Sequence, residues 1–218
     1  MSRRLTIAAA TLAFALCTAG CSGDDASDGP DTSKTTQIPT SWINDTKKGW
    51  PKSDGFGSTI PVYDAHADCL LADAPTLMST ETELTDAGWG PFGDTNDDPA
   101  SFRYACNYYA EDSFTASLEL IKSADSASEK SAVADFKSTE STSVQDNTVT
   151  TETVGDSTVY VLQRWYPTNP QGAYLALYDE PKSRATVILT LGSLSKKDFK
   201  NYSPHKAAEQ LITLLQAG

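Results

Sequence analysis

The stretch FRYACNYYAEDSFTASLEL, residues 102–120, alternates apolar and polar side chains on both sides of an acidic turn. Such alternation is typical of strands with one buried face, and Glu111 and Asp112 separate two arms of strand length. The stretch therefore predicts a β-hairpin whose inner face joins the core. The inner residues are Phe102, Tyr104, Cys106, Tyr108, Phe114, Ala116, Leu118 and Leu120.

Four further strands are predicted downstream, at residues 149–154, 159–165, 173–178 and 185–191. The first two flank Gly155-Asp156, which is typical of a tight hairpin turn, and the last two flank a turn around Pro181. Short strands at such regular spacing favour an antiparallel sheet.

Helices are predicted on both sides of these strands. Residues 123–137 form a polar amphipathic pattern, which predicts a crossover helix that covers the sheet. A last helix is predicted after Ser203, an N-cap residue followed by Pro204 at the first helical position. Its inward side chains are expected to be Ala207, Ala208, Leu211, Leu214 and Leu215.

Two short helices are predicted earlier in the chain, at residues 68–78 and 80–87. The second is predicted because Thr80 and Glu83 have the spacing of a capping box and Gly88 follows as a stop. Together these elements predict an α+β domain: an antiparallel sheet of about five to six strands flanked by helices.

The N-terminus has the pattern of an export signal over residues 1–20. Arg3 and Arg4 precede an uncharged run of about 15 residues, which ends at the small residues Ala19 and Gly20. A membrane-spanning helix needs about 20 apolar residues, so a cleaved signal is favoured over a permanent span.

Thr18-Ala19-Gly20-Cys21 resembles the bacterial lipobox, in which the cysteine is diacylated and the signal is removed before it. The alternative is an ordinary secretory signal with an incidental cysteine at the cleavage site. Two acyl chains hold a protein durably on a membrane. Cys21 is therefore the expected lipid anchor, and the protein is expected on the outer face of the cytoplasmic membrane.

Residues 21–58 are acidic and rich in Ser, Gly and Pro, which predicts a solvated tether before a single domain at residues 59–218. Residues 42–51 interrupt this composition with Trp42, Trp50 and two lysines. Tryptophan and lysine are common at membrane interfaces, so the segment could lie on the membrane. The alternative, which is favoured, is that it packs on the domain as a clasp.

Charge and cysteine content restrict the function further. Removal of residues 1–20 takes away Arg3 and Arg4 and no acidic residue, so the formal charge changes from −12 to −14. This excess of negative charge argues against nucleic acid as a partner. Of the four cysteines, Cys17 is expected to leave with the signal and Cys21 to be acylated. Cys69 and Cys106 are then one pair in an oxidising compartment, which predicts one disulfide.

No cofactor or metal is expected. The two histidines, His66 and His205, do not have zinc-site spacing with the cysteines. Residues 94–98 copy the opening of a calcium loop through Asp94, Asn96 and Asp98. The loop pattern fails later, because Pro99 stands at its sixth position and Ala105 at its twelfth.

The chain resembles a family of actinobacterial lipoproteins of unknown function. The motifs that carry the resemblance are Cys69-Leu70-Leu71, a second cysteine at Cys106 in an early strand, the turn Gly155-Asp156, and the Ala/Leu-rich segment 207–215. LpqN-like lipoproteins and the extracellular sensor domain of PknH-like kinases are similar. The resemblance covers about residues 64–216 and implies a disulfide-supported antiparallel sheet with flanking helices, but no catalytic residue.

A candidate binding loop follows one of the predicted strands, at residues 165–172. Trp165, Tyr166 and Asn169 stand there between prolines, and rigid loops with large amphipathic side chains suit recognition. The alternative is that Trp165 joins the core, because it shares the strand period of Val159 and Val161.

Two functions remain open from the sequence. His66 and His205 are the available histidine bases, and no Gly-x-Ser-x-Gly elbow accompanies them. The absence of a nucleophile and base set favours a non-catalytic binding or accessory lipoprotein. The protein is expected to be a monomer, with an envelope protein or small ligand as its partner. The alternative is a cell-envelope hydrolase with an unrecognised active site.

Overall fold

A computed structural model describes residues 29–31, 33–49, 62–64, 68–90, 101–110 and 114–218 of the chain. Within these residues, eight strands form one antiparallel sheet in the order β1-β2-β3-β4-β8-β7-β6-β5. The strands are β1 (Val62–Asp64), β2 (Glu83–Gly90), β3 (Phe102–Tyr109), β4 (Thr115–Lys122), β5 (Asp146–Val154), β6 (Ser157–Tyr166), β7 (Gln171–Glu180) and β8 (Ala185–Ser195).

The described residues also contain four helices. They are α1 (Thr40–Gly49), α2 (Ser126–Lys137), α3 (Lys196–Asn201) and α4 (Pro204–Ala217). None of these helices combines the length and the apolar character that crossing a membrane requires. The antiparallel sheet with helices confirms the coarse fold prediction, but the sheet is larger than the five to six strands expected.

The hairpin predicted at residues 102–120 is confirmed as β3 and β4. Cys106 lies opposite Leu118 across the pair, and both side chains are fully buried. The hairpin of β5 and β6 is also confirmed, and Gly155 takes a left-handed backbone angle (φ 60°) in its turn. Glycine adopts this conformation without the steric cost that a Cβ brings.

One face of the sheet carries the main core. The strand register aligns one residue from each of six neighbouring strands, β2 to β6 in sheet order, in a single row: Ala87, Cys106, Leu118, Leu189, Ala176 and Val161. Helix α4 packs on this face above β5 to β8. Burying one aliphatic side chain of this kind stabilises the fold by about 1.5–3 kcal/mol, so this face contributes most of the hydrophobic stabilisation.

Helix α2 lies on the opposite face, where it contacts β6. It begins after Asp125, whose carboxylate accepts hydrogen bonds from the backbone N–H groups of Ala127 and Ser128 at 2.9 and 2.8 Å. At its other end, Lys137 Nζ lies 4.5 Å from the ring centre of Tyr160 on β6. The helix predicted at residues 123–137 is therefore confirmed, with a slightly later start.

The two short helices predicted at residues 68–78 and 80–87 are wrong. Residues 83–90 form β2, and residues 68–82 have no helix. The register of β2 shifts between Leu84 and Asp86, so Leu84 and Ala87 share a face although they are three residues apart. This β-bulge produced a helix-like spacing in a strand.

Residues 68–72 are held by side chains of β3 instead of by helical hydrogen bonds. Tyr108 donates its hydroxyl to the carbonyl of Ala72 at 2.8 Å, and the N–H of Leu70 donates to Tyr104 Oη at 3.3 Å. Cys69 is joined to Cys106 by a disulfide with a Cα–Cα distance of 5.7 Å, which confirms the predicted pair.

Asp31 and residues 33–49, together named here the N-terminal strap, pack on the domain. The Tyr178 hydroxyl donates to the carbonyl of Thr36 at 2.9 Å, and Trp89 Nε1 donates to the carbonyl of Thr46 at 3.1 Å. Trp42 is 3% exposed and lies against Gly218 at the end of α4. The clasp interpretation therefore applies to Trp42, whereas Trp50 lies outside the described residues.

Candidate binding groove

A groove of about 540 Å³ lies between α4 and the turn that precedes β2. Residues 76–79 form one wall, and the outward face of α4 with Tyr202 forms the other. Gly29 and Pro30, just before the strap, also line it. We name it the α4 groove.

The turn wall has an unusual backbone. Leu77 and Thr80 exchange two backbone hydrogen bonds, at 2.9 and 2.8 Å, around the two-residue loop Met78-Ser79. Both loop residues have positive φ angles, 51° for Met78 and 64° for Ser79. Such turns normally use Asn or Gly, because a Cβ makes the left-handed conformation costly. Strain of this kind is concentrated at functional sites in proteins.

The helix wall follows from the sequence of α4. Ser203 caps the helix by accepting a hydrogen bond from the Lys206 N–H at 3.2 Å, and the apolar stripe that includes Leu211 turns inward. The polar residues that alternate with this stripe therefore face outward. Those that line the groove are Lys206, Glu209, Gln210 and Thr213, with Leu214 beside them.

Tyr202 connects the groove to an aromatic cluster beneath it. Its hydroxyl donates to Gln210 Oε1 at 2.6 Å, and its ring lies 5.4 Å from that of Tyr174. Burial raises the pKa of Tyr202 well above its ordinary value, and the negative charge of Glu209 adds to this. Tyr202 therefore stays a neutral hydrogen-bonding group at any physiological pH.

The predicted binding loop lies at the far end of the same cluster. Trp165 is half-buried on the side of the sheet that carries Val159 and Val161, with its ring 5.3 Å from that of Phe199. Tyr166 is half-buried on the opposite side, and Asn169 is exposed. None of the three lines the α4 groove, but Phe199 contacts both Trp165 and Tyr174.

His205 lies beside the groove between two carboxylates. Its Nδ1 is 3.3 Å from Glu152 Oε2 on β5, and its Nε2 is 3.5 Å from Glu209 Oε1. Both ring nitrogens thus have acidic partners, and no hydroxyl or thiol in the described part of the chain hydrogen-bonds to them. The arrangement places His205 of α4 against the edge strand β5 and does not form a nucleophile and base pair.

Several candidate residues from the sequence cannot be placed. Cys21, His66 and the acidic segment 94–98 all lie outside the described residues. Within the described ranges, no three His, Cys, Asp or Glu side chains form a group suited to hold a metal ion.

The α4 groove combines an ammonium, a carboxylate, an amide and the apolar side chains of Met78 and Leu214. Such walls suit a small ligand with both polar and apolar parts. Sequence reasoning misses the groove because it predicts helices at residues 68–78 and 80–87, where the structure has the turn that forms one wall and the strand that follows it. Comparison with known proteins gives no further assignment, since no family model, curated protein or solved structure matches the chain.

Proposed function

We propose that the protein is a lipoprotein anchored through Cys21, facing outward from the cytoplasmic membrane, and that its domain binds a ligand without transforming it. The observation that carries the binding role is the α4 groove with its left-handed turn at Met78-Ser79. A concave site with a few convergent polar groups is the form that ligand sites usually take. Membership of the actinobacterial lipoprotein family stays a prediction.

The walls of the groove define the ligand class. Lys206 and Glu209 supply opposite charges, Gln210 supplies an amide, and Met78 and Leu214 supply apolar area. The formal charge of the whole chain is −12, which disfavours polyanions. We therefore propose an uncharged or zwitterionic ligand of the cell envelope, such as a short peptide or a peptide-bearing glycan fragment.

The position of the groove supports a ligand that is available close to the membrane. Gly29 and Pro30 line the groove, and Gly29 follows the proposed anchor Cys21 by about eight residues, which span at most about 28 Å when fully extended. The lipid anchor would therefore hold this end of the domain within a few nanometres of the membrane surface.

The experiment that tests the proposal is a titration of the isotope-labelled chain, followed by two-dimensional NMR. The probes are short zwitterionic peptides, soluble muropeptides and neutral oligosaccharides. The proposal expects shift changes confined to residues 76–79 and the outward face of α4. Thr213→Phe, which fills the groove, should abolish them, whereas the same change at exposed Thr153 on β5 should not.

A charge control separates specific binding from nonspecific adsorption. Lys206→Gln should weaken binding of the zwitterionic probes, and Lys200→Gln, at an exposed lysine on α3, should leave it unchanged. Equal effects of the two changes, or shifts spread over the whole surface, would contradict the groove as the site. Turnover of ester, peptide or glycan substrates that is lost with His205→Ala would contradict the non-catalytic role.

A further inference from the structure

A second cluster lies on the other face of the sheet, beneath α2. Glu129, in the first turn of α2, is only 2% exposed. Asp179 on β7 lies under the same helix, in a cavity that it lines together with Lys130 and Val133 of α2, and its carboxyl group interacts electrostatically with that of Glu129. Asp179 Oδ1 is shielded from solvent, and no N–H or hydroxyl donor in the described ranges reaches it.

Two ionised carboxylates accept hydrogen bonds but cannot donate one. If both were charged, they would repel each other, and little water would reach the buried Glu129 and Asp179 Oδ1 to reduce this repulsion. A proton held between them removes one charge and supplies the missing donor, which is how closely spaced carboxyl pairs behave elsewhere. The geometry therefore fits a pair that shares a proton.

The surrounding charges favour a proton on Asp179 over one on Glu129. Glu129 lies in the first turn of α2, where the helix dipole favours a negative charge, and Lys122 of β4 interacts with it favourably. Asp179 is instead next to the negative charge of Glu180. The other charged groups near the pair are Lys130 and Lys137 of α2 and Lys182 and Arg184 of the β7–β8 turn.

We propose that Glu129 and Asp179 form a proton-dependent latch, which holds α2 against the sheet when protonated and loosens it when the proton is lost. The latch is independent of the α4 groove, which lies on the other face of the sheet. Its effect would be to make the surface covered by α2 responsive to the pH outside the membrane.

The expected pH range follows from the environment of Asp179. Burial, then the charge and hydrogen bond of Glu129, raise the pKa of Asp179 from 3.8 to about 7. Because the folded state holds this proton more tightly than the unfolded chain, its stabilising effect is complete in acid and is lost as the pH rises through about 7. The latch is thus closed below neutral pH and open above it.

Hydrogen exchange of the purified chain tests the latch. After division by intrinsic exchange rates, protection of the α2 amides should fall roughly tenfold between about pH 5.5 and about pH 8, while α4 protection stays constant. Asp179→Asn should remove the pH dependence and keep α2 protected at the higher pH, because its amide donates permanently to Glu129. The matched control is Asp135→Asn, at an exposed carboxylate of the same helix, which should behave as the parent chain does.

Glu129→Gln provides a second variant in case Asp179→Asn does not fold, since its amide can donate to Asp179. Protection of α2 that is independent of pH in the parent chain would overturn the proposal. So would a pH response that survives both substitutions. Restoration of α2 protection by calcium at high pH would also overturn it, because a cation and not a proton would then join the carboxylates.

Discussion

The side-chain amide of Gln216 on α4 binds the backbone of Asp31 in both directions. Gln216 Nε2 donates to the Asp31 carbonyl at 3.0 Å, and the Asp31 N–H donates to Gln216 Oε1 at 2.9 Å. The side chain thus pairs with the start of the N-terminal strap as a neighbouring strand would. Part of the segment expected from composition to be a solvated tether is therefore fixed to the domain.

Removal of the indole from the strap should destabilise the whole domain. Trp42 is 3% exposed and belongs to the main core, so Trp42→Ala should lower the free energy of unfolding by about 3–5 kcal/mol in urea denaturation. Tyr109→Ala is the control, because Tyr109 is 44% exposed and its loss should cost far less. Equal unfolding midpoints for Trp42→Ala and the parent chain would show that the strap does not contribute to the core.

Reduction of the disulfide should destabilise the domain without changing its topology. The bond closes a loop between residues 37 positions apart, for which the chain-entropy relation gives about 3.5–4 kcal/mol. The native chain should have a mass two hydrogens below that of the dithiol form, and its unfolding midpoint should fall when reductant is added. Free thiols at Cys69 and Cys106 in the exported protein would contradict this prediction.

The lipid anchor is testable in cells. Cys21→Ala should prevent fatty-acid labelling and leave the unprocessed precursor. In lipoproteins the thiol of this cysteine carries the acyl chains, and the signal is removed directly before it. Cys17 does not fit the lipobox, because it follows Leu16 and not a small residue. Cys17→Ser is therefore the matched control and should still be labelled. Labelling and maturation of Cys21→Ala would favour the ordinary secretory signal.

The strands after residue 100 could be predicted because their local sequence patterns match the positions that their side chains and turns take in the folded sheet. In β3 and β4 the alternation seen in the sequence is the alternation of buried and solvent-facing side chains, and in β5 and β6 the turn residue Gly155 has the left-handed backbone that glycine favours. Helix α4 has the predicted cap at Ser203 for a similar reason.

The segments before residue 100 could not be predicted because distant contacts determine them. β2 contains a bulge after Leu84, which broke its alternation, and residues 68–72 follow hydrogen bonds from Tyr104 and Tyr108. The strap has few apolar residues, and Trp42 packs against the end of α4, which is distant from it in the sequence. The α4 groove depends on the same segments, so it was missed with them.

Trp165 and Tyr166 should respond differently to truncation. Trp165 packs on Phe199 and is half-buried, so Trp165→Ala should lower the free energy of unfolding by about 1–3 kcal/mol. Tyr166 projects from the opposite side of the sheet. Tyr166→Ala is therefore the control, because it removes a neighbouring aromatic side chain from the other face, and its effect on stability should differ from that of Trp165→Ala. Unchanged stability of Trp165→Ala with loss of an envelope partner in pull-down would instead support the predicted binding loop.

The turn at Met78-Ser79 should show opposite effects on stability and binding. Ser79 has φ 64°, so Ser79→Gly should raise the free energy of unfolding by roughly 1 kcal/mol through relief of the left-handed Cβ.

Met78 has φ 51°, and Met78→Asn should relieve part of the same strain, since Asn tolerates this conformation. The two changes differ at the α4 groove, because Met78 supplies apolar area to its wall. Met78→Asn should therefore weaken binding of the probe ligands, whereas Ser79→Gly should retain most of it. Denaturation and NMR titration of both variants measure the two effects. If Met78→Asn binds as tightly as the parent chain, the unfavourable turn is not maintained for the sake of the groove.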